Sequence, residues 1–171
     1  MNPGAGLRFR DAMPEELDRT AAVMAESYAE YSRSFPGDAF EAYTASVLDV
    51  RSRLPDSELI IAERGDSIVG AVTFYPDGTK TGGADGWPKG WAGLRLLAVH
   101  PDSRGLGLGR GLTEECMRRC RERGIPTLGL HSTRPMAVAR EMYRKMGFRR
   151  VPEFDFHPGE ENVVMAFRID V

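Results

Sequence analysis

Apolar and polar residues alternate over 7–12 (LRFRDA), the two-residue period of a half-buried strand. The period then lengthens. Leu17, Ala21, Met24, Tyr28 and Tyr31 fall on one helical face, and Pro14, Glu15 and Glu16 suit the start of that helix. Pro36-Gly37 breaks it. Asp38 is placed to cap a second helix with Phe40, Tyr43, Val47, Val50 and Leu54 on its apolar face. Residues 58–63 and 68–75 read as two strands of a hairpin around Arg64-Gly65-Asp66. The stretch 76–90 is too rich in glycine for regular structure and is expected to form a loop, either an ordinary surface loop or a mobile one over a site.

An apolar strand over 91–100 follows and stops at Pro101, which cannot continue a ladder. Leu108, Leu112, Cys116 and Cys120 then recur every four residues along a helix that ends near Gly124. Residues 127–131 form a short strand. Pro135 opens the last helix, with Val138, Met142 and Met146 on one apolar ridge, Ala139 and Tyr143 beside it, and Gly147 just past its end. Two strands, 148–156 and 162–171, close the chain around Pro158-Gly159. The order β-α-α-β-β-β-α-β-α-β-β predicts an α/β fold, a mixed and mostly antiparallel central sheet of about seven strands with helices on both faces.

Composition narrows the class. A chain of 171 residues suits one domain, with residues 1–6 ahead of the first strand expected to be flexible. Hydrophobic content of 42% and charged content of 28% describe an ordinary soluble protein. A net charge of −2 gives no reason to expect nucleic-acid or anionic-membrane binding. No apolar run approaches the roughly 20 residues of a membrane span. The N-terminus lacks a secretory apolar core, so the expected compartment is the cytoplasm. Cys116 and Cys120 are the only cysteines, one helical turn apart on the face of Leu108 and Leu112. That spacing is poor for a disulfide or for zinc, and the pair reads as reduced thiols packed as small apolar residues, with no metal expected.

The chemistry concentrates between the strand at 91–100 and the helix after it. Arg104 precedes Gly105, Gly107 and Gly109, in a strand-to-helix turn that presents main-chain N–H groups at the positive end of a helix dipole. Missing Cβ atoms let a phosphate approach the backbone. A dinucleotide motif, G-x-G-x-x-G or A, fails, because Arg110 or Leu112 would fill its last place. A P-loop fails too, since the chain has no Gly-Lys-Ser/Thr end. What remains, Val99-x-Pro101-x-x-Arg104-Gly105-x-Gly107-x-Gly109-x-x-Leu112, resembles the acetyl-CoA-binding motif Q/R-x-x-G-x-G/A of the GCN5-related N-acetyltransferases (GNAT). Arg104, Gly107 and Gly109 fill its three fixed positions. A second motif, Ala139-x-x-x-Tyr143-x-x-x-Gly147-Phe148, resembles that family's N-x-x-A-x-x-x-Y-x-x-x-G-F, with Met136 where the family carries asparagine.

The resemblance covers nearly the whole chain and implies a mechanism. It puts the pyrophosphate of acetyl-CoA on the amides from Gly105 through Leu106, Gly107, Leu108 and Gly109 to Arg110, with Arg104 beside them. It lays the pantetheine arm along Leu97, Ala98 and Val99. It gives Tyr143 the role of proton donor to the departing thiolate, while the asparagine contact to the cofactor cannot form through Met136. A strand N–H would stabilise the tetrahedral oxyanion. The acceptor is then a primary amine on a small molecule or a peptide, attacking the thioester directly, and homodimerisation is common in the family.

The attacking amine must be neutral, yet no acidic residue lies between Trp91 and His100. Arg95, which alternation puts on the face of Leu97 and Val99, and His131, able to act through water, are the substrate-side candidates. Glu26, Glu30 and Asp155 could attract a cationic acceptor but read first as solvated surface. A non-catalytic acyl-CoA sensor or interaction module is the alternative reading.

Overall fold

The computed structural model describes residues 6–82, 86–159 and 162–171, and residues 1–5 of the expected flexible N-terminus lie outside them. The elements form an α/β fold in two compact units, Met1–Thr73 with Leu96–Glu115 and Phe74–Arg95 with Cys116–Val171. Strands β3 (Ser67–Tyr75) and β4 (Trp91–Val99) and helix α4 (Leu108–Glu122) contribute residues to both.

In the first unit, strand order is β1-β2-β3-β4, with β1 at Leu7–Asp11 and β2 at Glu58–Arg64. β1 runs antiparallel to β2 from Leu7↔Arg64 to Asp11↔Ile60. Ile60, Ile61 and Ala62 are fully buried in succession, so β2 is covered on both faces and reads as a continuous apolar run. The helices are α1 (Leu17–Tyr28), α2 (Ala39–Leu48) and the one-turn α3 (Val50–Arg53). Met24, Val47, Val50, Val72, Leu108 and Leu112 complete this core.

Several helix boundaries differ from the periodicity: α1 stops at Tyr28, ahead of Tyr31, and the last helix opens at Ala137 rather than Pro135. Pro14–Glu16 forms a 3-10 turn, and α1 begins only at Leu17. The expected second helix divides at Asp49, whose carboxylate accepts the Ser52 N–H and so caps α3, while Asp38 precedes α2 with no side-chain bond.

In the second unit, the order is β4-β5-β8-β6 with β7 off β8, where β5 is Thr127–Thr133, β6 Arg149–Arg150, β7 Phe156–Gly159 and β8 Asn162–Asp170. β4 and β5 pair in parallel only from Trp91↔Thr127 to Leu94↔Leu130. β5 and β8 pair antiparallel from Thr127↔Asp170 to Thr133↔Val164. The strand expected over 148–156 is broken instead at Pro152, which opens a 3-10 turn through Phe154 and splits the pairing with β8 between β6 and β7.

Helix α5 (Ala137–Lys145) ends at Gly147, at φ 96°, where Gly147 N–H donates to Arg144 C=O and Phe148 N–H to Tyr143 C=O at 3.0 Å. This pair of bonds is a Schellman closure, and the ring contact that accompanies it joins Tyr143 and Phe148 at 5.4 Å. The α5 ridge is not the one expected. Val138 is 87% exposed, and the buried side is carried by Tyr143 with the half-buried Ala139, Met142 and Met146.

One charged knot fastens the chain's first turn. Arg10 donates to both oxygens of Glu16 at 2.8 Å and to Glu63 at 2.7 Å, while Glu16 also accepts the Met13 N–H at 2.8 Å. The Arg10 hydrogen bonds hold the Glu16 carboxyl well below its ordinary 4.5, at about 2. A carboxyl lowered on folding contributes stability that is complete above its unfolded value and disappears as pH falls through its folded one. We expect Glu16→Gln to lower Tm at pH 7 and to flatten the fall of Tm between pH 4.5 and about 2, as read by circular dichroism melts across that window. A variant melting in parallel with the wild type over that range would show that this knot is not what titrates.

Candidate functional site

In the first unit, strand β4 carries Leu96, the only non-glycine residue at positive φ (55°) among those described. A residue there costs of order 1–3 kcal/mol and leaves the pleat. The alternation that would set Arg95 on the face of Leu97 and Val99 is therefore interrupted. Beyond it, His100 N–H donates to Val69 C=O at 2.9 Å, so the main-chain groups of Leu97 and Val99 turn to the opposite edge. There the Tyr28 hydroxyl donates to Leu97 C=O at 2.6 Å and Arg104 Nε to Val99 C=O at 3.4 Å. Ala98 is buried, and Leu97 and Val99 are half-buried.

The loop after β4 starts with a 3-10 turn, Pro101–Ser103, in which His100 Nδ1 accepts the Asp102 N–H. Gly105 (φ 79°) and Gly107 (φ 76°) then take a conformation that side chains resist. The first i→i−4 bond of α4 runs from Gly111 N–H to Gly107 C=O at 2.9 Å. The amides of Leu108, Gly109 and Arg110 thus lie ahead of the helical ladder, at its positive end. Leu108 is buried and anchors this turn, whereas Leu106 is exposed and Arg110 pairs with Glu114 at 2.7 Å. Helix α4 sits so close to β1 that a Cβ on Gly111 would stand 2.2 Å from the Phe9 ring.

Arg104 does not stand free. Its guanidinium meets the Glu30 carboxylate at 2.6 Å and donates to Ser27 C=O at 3.1 Å, and Glu30 raises its pKa further. Glu26 likewise pairs with His100 at 3.3 Å. The two acids read as solvated surface are thus partners of the β4–α4 loop. Tyr28, read from the sequence only as part of a helix face, is the residue that sequence reasoning missed, together with the pairing of Glu26 and Glu30 to this loop. Nothing local names a partner some 70 residues away.

In the second unit, Tyr143 is 4% exposed, and burial first, then the neighbouring Cys116, pushes its phenol well above 10. It is a protonated phenol at neutral pH. His131, half-buried on β5, stacks on Trp87 at 4.6 Å and 25° and meets the edge of Phe156 at 5.1 Å. Its Nε2 lies 2.9 Å from Phe154 C=O, and burial holds its pKa below the ordinary histidine value. Arg95 donates to Thr81 C=O in the segment before β4. Asp155 is engaged by both Arg150 nitrogens and by Ala166 N–H, all at 2.7 Å, and is no solvated acid.

Trp87 falls within the stretch expected to be a loop, yet it is 3% exposed. Its side chain fills a slot floored by Gly78, Gly93 and Gly129, and its ring stacks on Trp91 at 5.6 Å. A Cβ on Gly129 would stand 2.6 Å from the indole. Gly129→Ala is therefore expected to destabilise the protein by about 1–3 kcal/mol through overpacking. The check is a lowered Tm together with red-shifted tryptophan emission; unchanged values of both would mean that Trp87 is not wedged.

Residues 22–148 match the family model described as the Acetyltransferase (GNAT) family, a span that includes the glycine turn, His131 and Tyr143. Among curated proteins, a mycothiol acetyltransferase of Cellulomonas flavigena is 34% identical over 93 residues, covering 53% of this chain and 26% of that one. An IAA acetyltransferase of Azospirillum brasilense is 29% identical over 115 residues, covering 66% and 68%. The first two mycothiol acetyltransferases matched are covered over 26% and 30% of their length, so this chain aligns with only part of them. Among solved structures, the PaiA N-acetyltransferase of Thermoplasma acidophilum in complex with coenzyme A superposes with a TM-score of 0.71 at 18% identity, covering 94% and 97%. A GCN5-related N-acetyltransferase of Kribbella flavida gives 0.67 at 18%, covering 98% and 99%.

Proposed function

This chain belongs to the GNAT acetyltransferase family, and from that premise we propose that it transfers the acetyl group of acetyl-CoA to a primary amine by direct attack on the thioester. The observation that carries the proposal is the turn from Arg104 to Arg110. Two glycines at positive φ lead into helix amides that lie ahead of the first helical hydrogen bond, which suits a pyrophosphate. The extended stretch Leu97–Ala98–Val99 offers main-chain groups on the edge away from β3 to the amides of pantetheine, much as a strand accepts a neighbour. A protonated Tyr143 supplies the proton that the thiolate takes as it leaves. Met136 precedes α5 with no side-chain capping bond, so this chain holds the cofactor without a contact of the asparagine type.

The acceptor we propose is a small molecule or peptide amine, and the cytoplasm, where acetyl-CoA is available, is the proposed compartment. The name of the mycothiol acetyltransferases supports a small-molecule acceptor. Acetyl-CoA at 100 times its Kd adds about 2.7 kcal/mol to folding. For a chain of this size that is a rise in Tm of roughly 5–10 °C. A thermal-shift panel is expected to give this rise with acetyl-CoA and not with ATP or NAD; the reverse pattern would overturn the reading of the glycine turn.

A second reading has one observation in its favour. Tyr143 packs on Phe148 across the Schellman closure of α5, a seat that a non-catalytic acyl-CoA binder would keep for stability alone. Tyr143→Phe separates the two, because it preserves that ring contact and removes the proton. As an enzyme, the protein should release CoA with one of a panel of primary amines (an alkylamine, a polyamine, an amino sugar, a peptide with a free α-amine). The variant should then lose kcat by about 100-fold or more while keeping its acetyl-CoA shift. Equal kcat in both proteins would remove the tyrosine's catalytic role, and no release by either would favour the binder.

A further inference from the structure

The acetyl-transfer reading leaves one chemical demand without a residue. A primary amine enters as an ammonium of pKa about 10.4, so it must lose a proton before it can attack. β4 carries no acid, and the acids that might have served are engaged. Glu30 pairs with Arg104, Glu26 with His100, and Asp155 with Arg150 and Ala166 N–H. We propose that the Nδ1 atom of His131 is the proton acceptor for the incoming amine, a proposal that rests on the acetyl-transfer reading.

The tautomer follows from hydrogen-bonding chemistry. A carbonyl oxygen can only accept, so the 2.9 Å contact between Nε2 and Phe154 C=O requires the hydrogen to sit on Nε2. In a neutral imidazole the lone pair is then on Nδ1. Among the described residues Nδ1 has no hydrogen-bond partner, and the ring is half-buried rather than sealed. Trp87 stacked on one face and the edge contact with Phe156 resist the ring flip that would exchange the two nitrogens.

The charged groups around the ring act in both directions. Arg95 on β4 and Arg150 on β6 disfavour the imidazolium, and Asp155 favours it. Burial outweighs them all and keeps the ring neutral at pH 7. A base in such a place accepts a proton in the reaction and returns it readily.

The steps balance. Nδ1 takes one proton from the ammonium, leaving a free amine and an imidazolium. The nitrogen lone pair forms the C–N bond as the carbonyl π pair moves to oxygen, and collapse of the tetrahedral species breaks the C–S bond with the pair on sulfur. The Tyr143 phenol protonates the sulfur and is restored by the second proton of the former ammonium. The imidazolium then releases its proton to water. An ammonium and acetyl-CoA thus become an amide, CoA thiol and one solvated proton.

Two measurements test this. Long-range proton–nitrogen NMR of the free protein at pH 7 should find His131 neutral, protonated on Nε2, and titrating below the ordinary value near 6.5. A cationic ring, or a hydrogen on Nδ1, overturns the proposal. With the fastest amine of the panel, kcat should rise along an acid limb whose midpoint lies below that value and then level. His131→Gln keeps an amide N–H for Phe154 C=O but no base, so it should lose the limb and about 100-fold in kcat at pH 7. An unchanged acetyl-CoA thermal shift in the variant shows that the fold survives, and if it does not, the NMR titration of the wild type decides. Equal profiles for variant and wild type remove the base alone, whereas a wild type that releases no CoA with any amine removes the transfer reading and the base with it.

Discussion

Main-chain donors and acceptors without a regular partner are the constraint on which this structure depends. Sheets and helices exist because buried N–H and C=O groups must be paired. Here the pairing stops early in two adjoining stretches of chain. The β4–β5 ladder ends at Leu94↔Leu130, and α4 forms its first bond only at Gly111. Both interruptions have a local cause. Leu96 at φ 55° takes β4 out of the pleat, and Gly105 and Gly107 bend the chain so that the next three amides precede the helix.

On this edge of β4 the end of α1 supplies the partners. The Tyr28 hydroxyl reaches Leu97 C=O, and Arg104 ties Val99 C=O to Ser27 C=O and Glu30. The motif arginine is therefore first a strut between the loop and the end of α1, its charge already answered by a carboxylate. Because the pair is about 40% exposed at each partner, its attraction is screened and a polyanion nearby can compete for the guanidinium.

What the sequence disclosed, and what it did not, divides along the range of the interactions. The glycine turn, the hairpin around Gly65 and the closure of α5 at Gly147 are legible because a positive φ or a broken period is written into neighbouring residues. Val138 misled because a nine-residue helix offers several ridges, and the tertiary partner chose the one through Tyr143. Trp87 was hidden for a related reason. Its surroundings are glycines from three separate segments, two of them strands, and none of them alone announces a slot for an indole. Asp155 read as surface because a charge reveals its partner only once the chain has folded. The backbone of the candidate site was thus visible in advance, while its electrostatics were not.

Burial sets those electrostatics with one rule and two opposite results. A phenol loses charge when it deprotonates less, and an imidazole when it deprotonates more. Desolvation therefore moves Tyr143 up and His131 down, and both are neutral at pH 7. The proposed transfer calls on this pairing, an acid that still holds its proton and a base that has not yet taken one. Neither residue owes its state to a salt bridge, which salt or a bound polyanion would weaken. The apolar packing that keeps them so is the ordinary core of this unit, with Phe148 against the tyrosine and Trp87 and Phe156 against the histidine. Substitutions in that packing should accordingly move the two titrations.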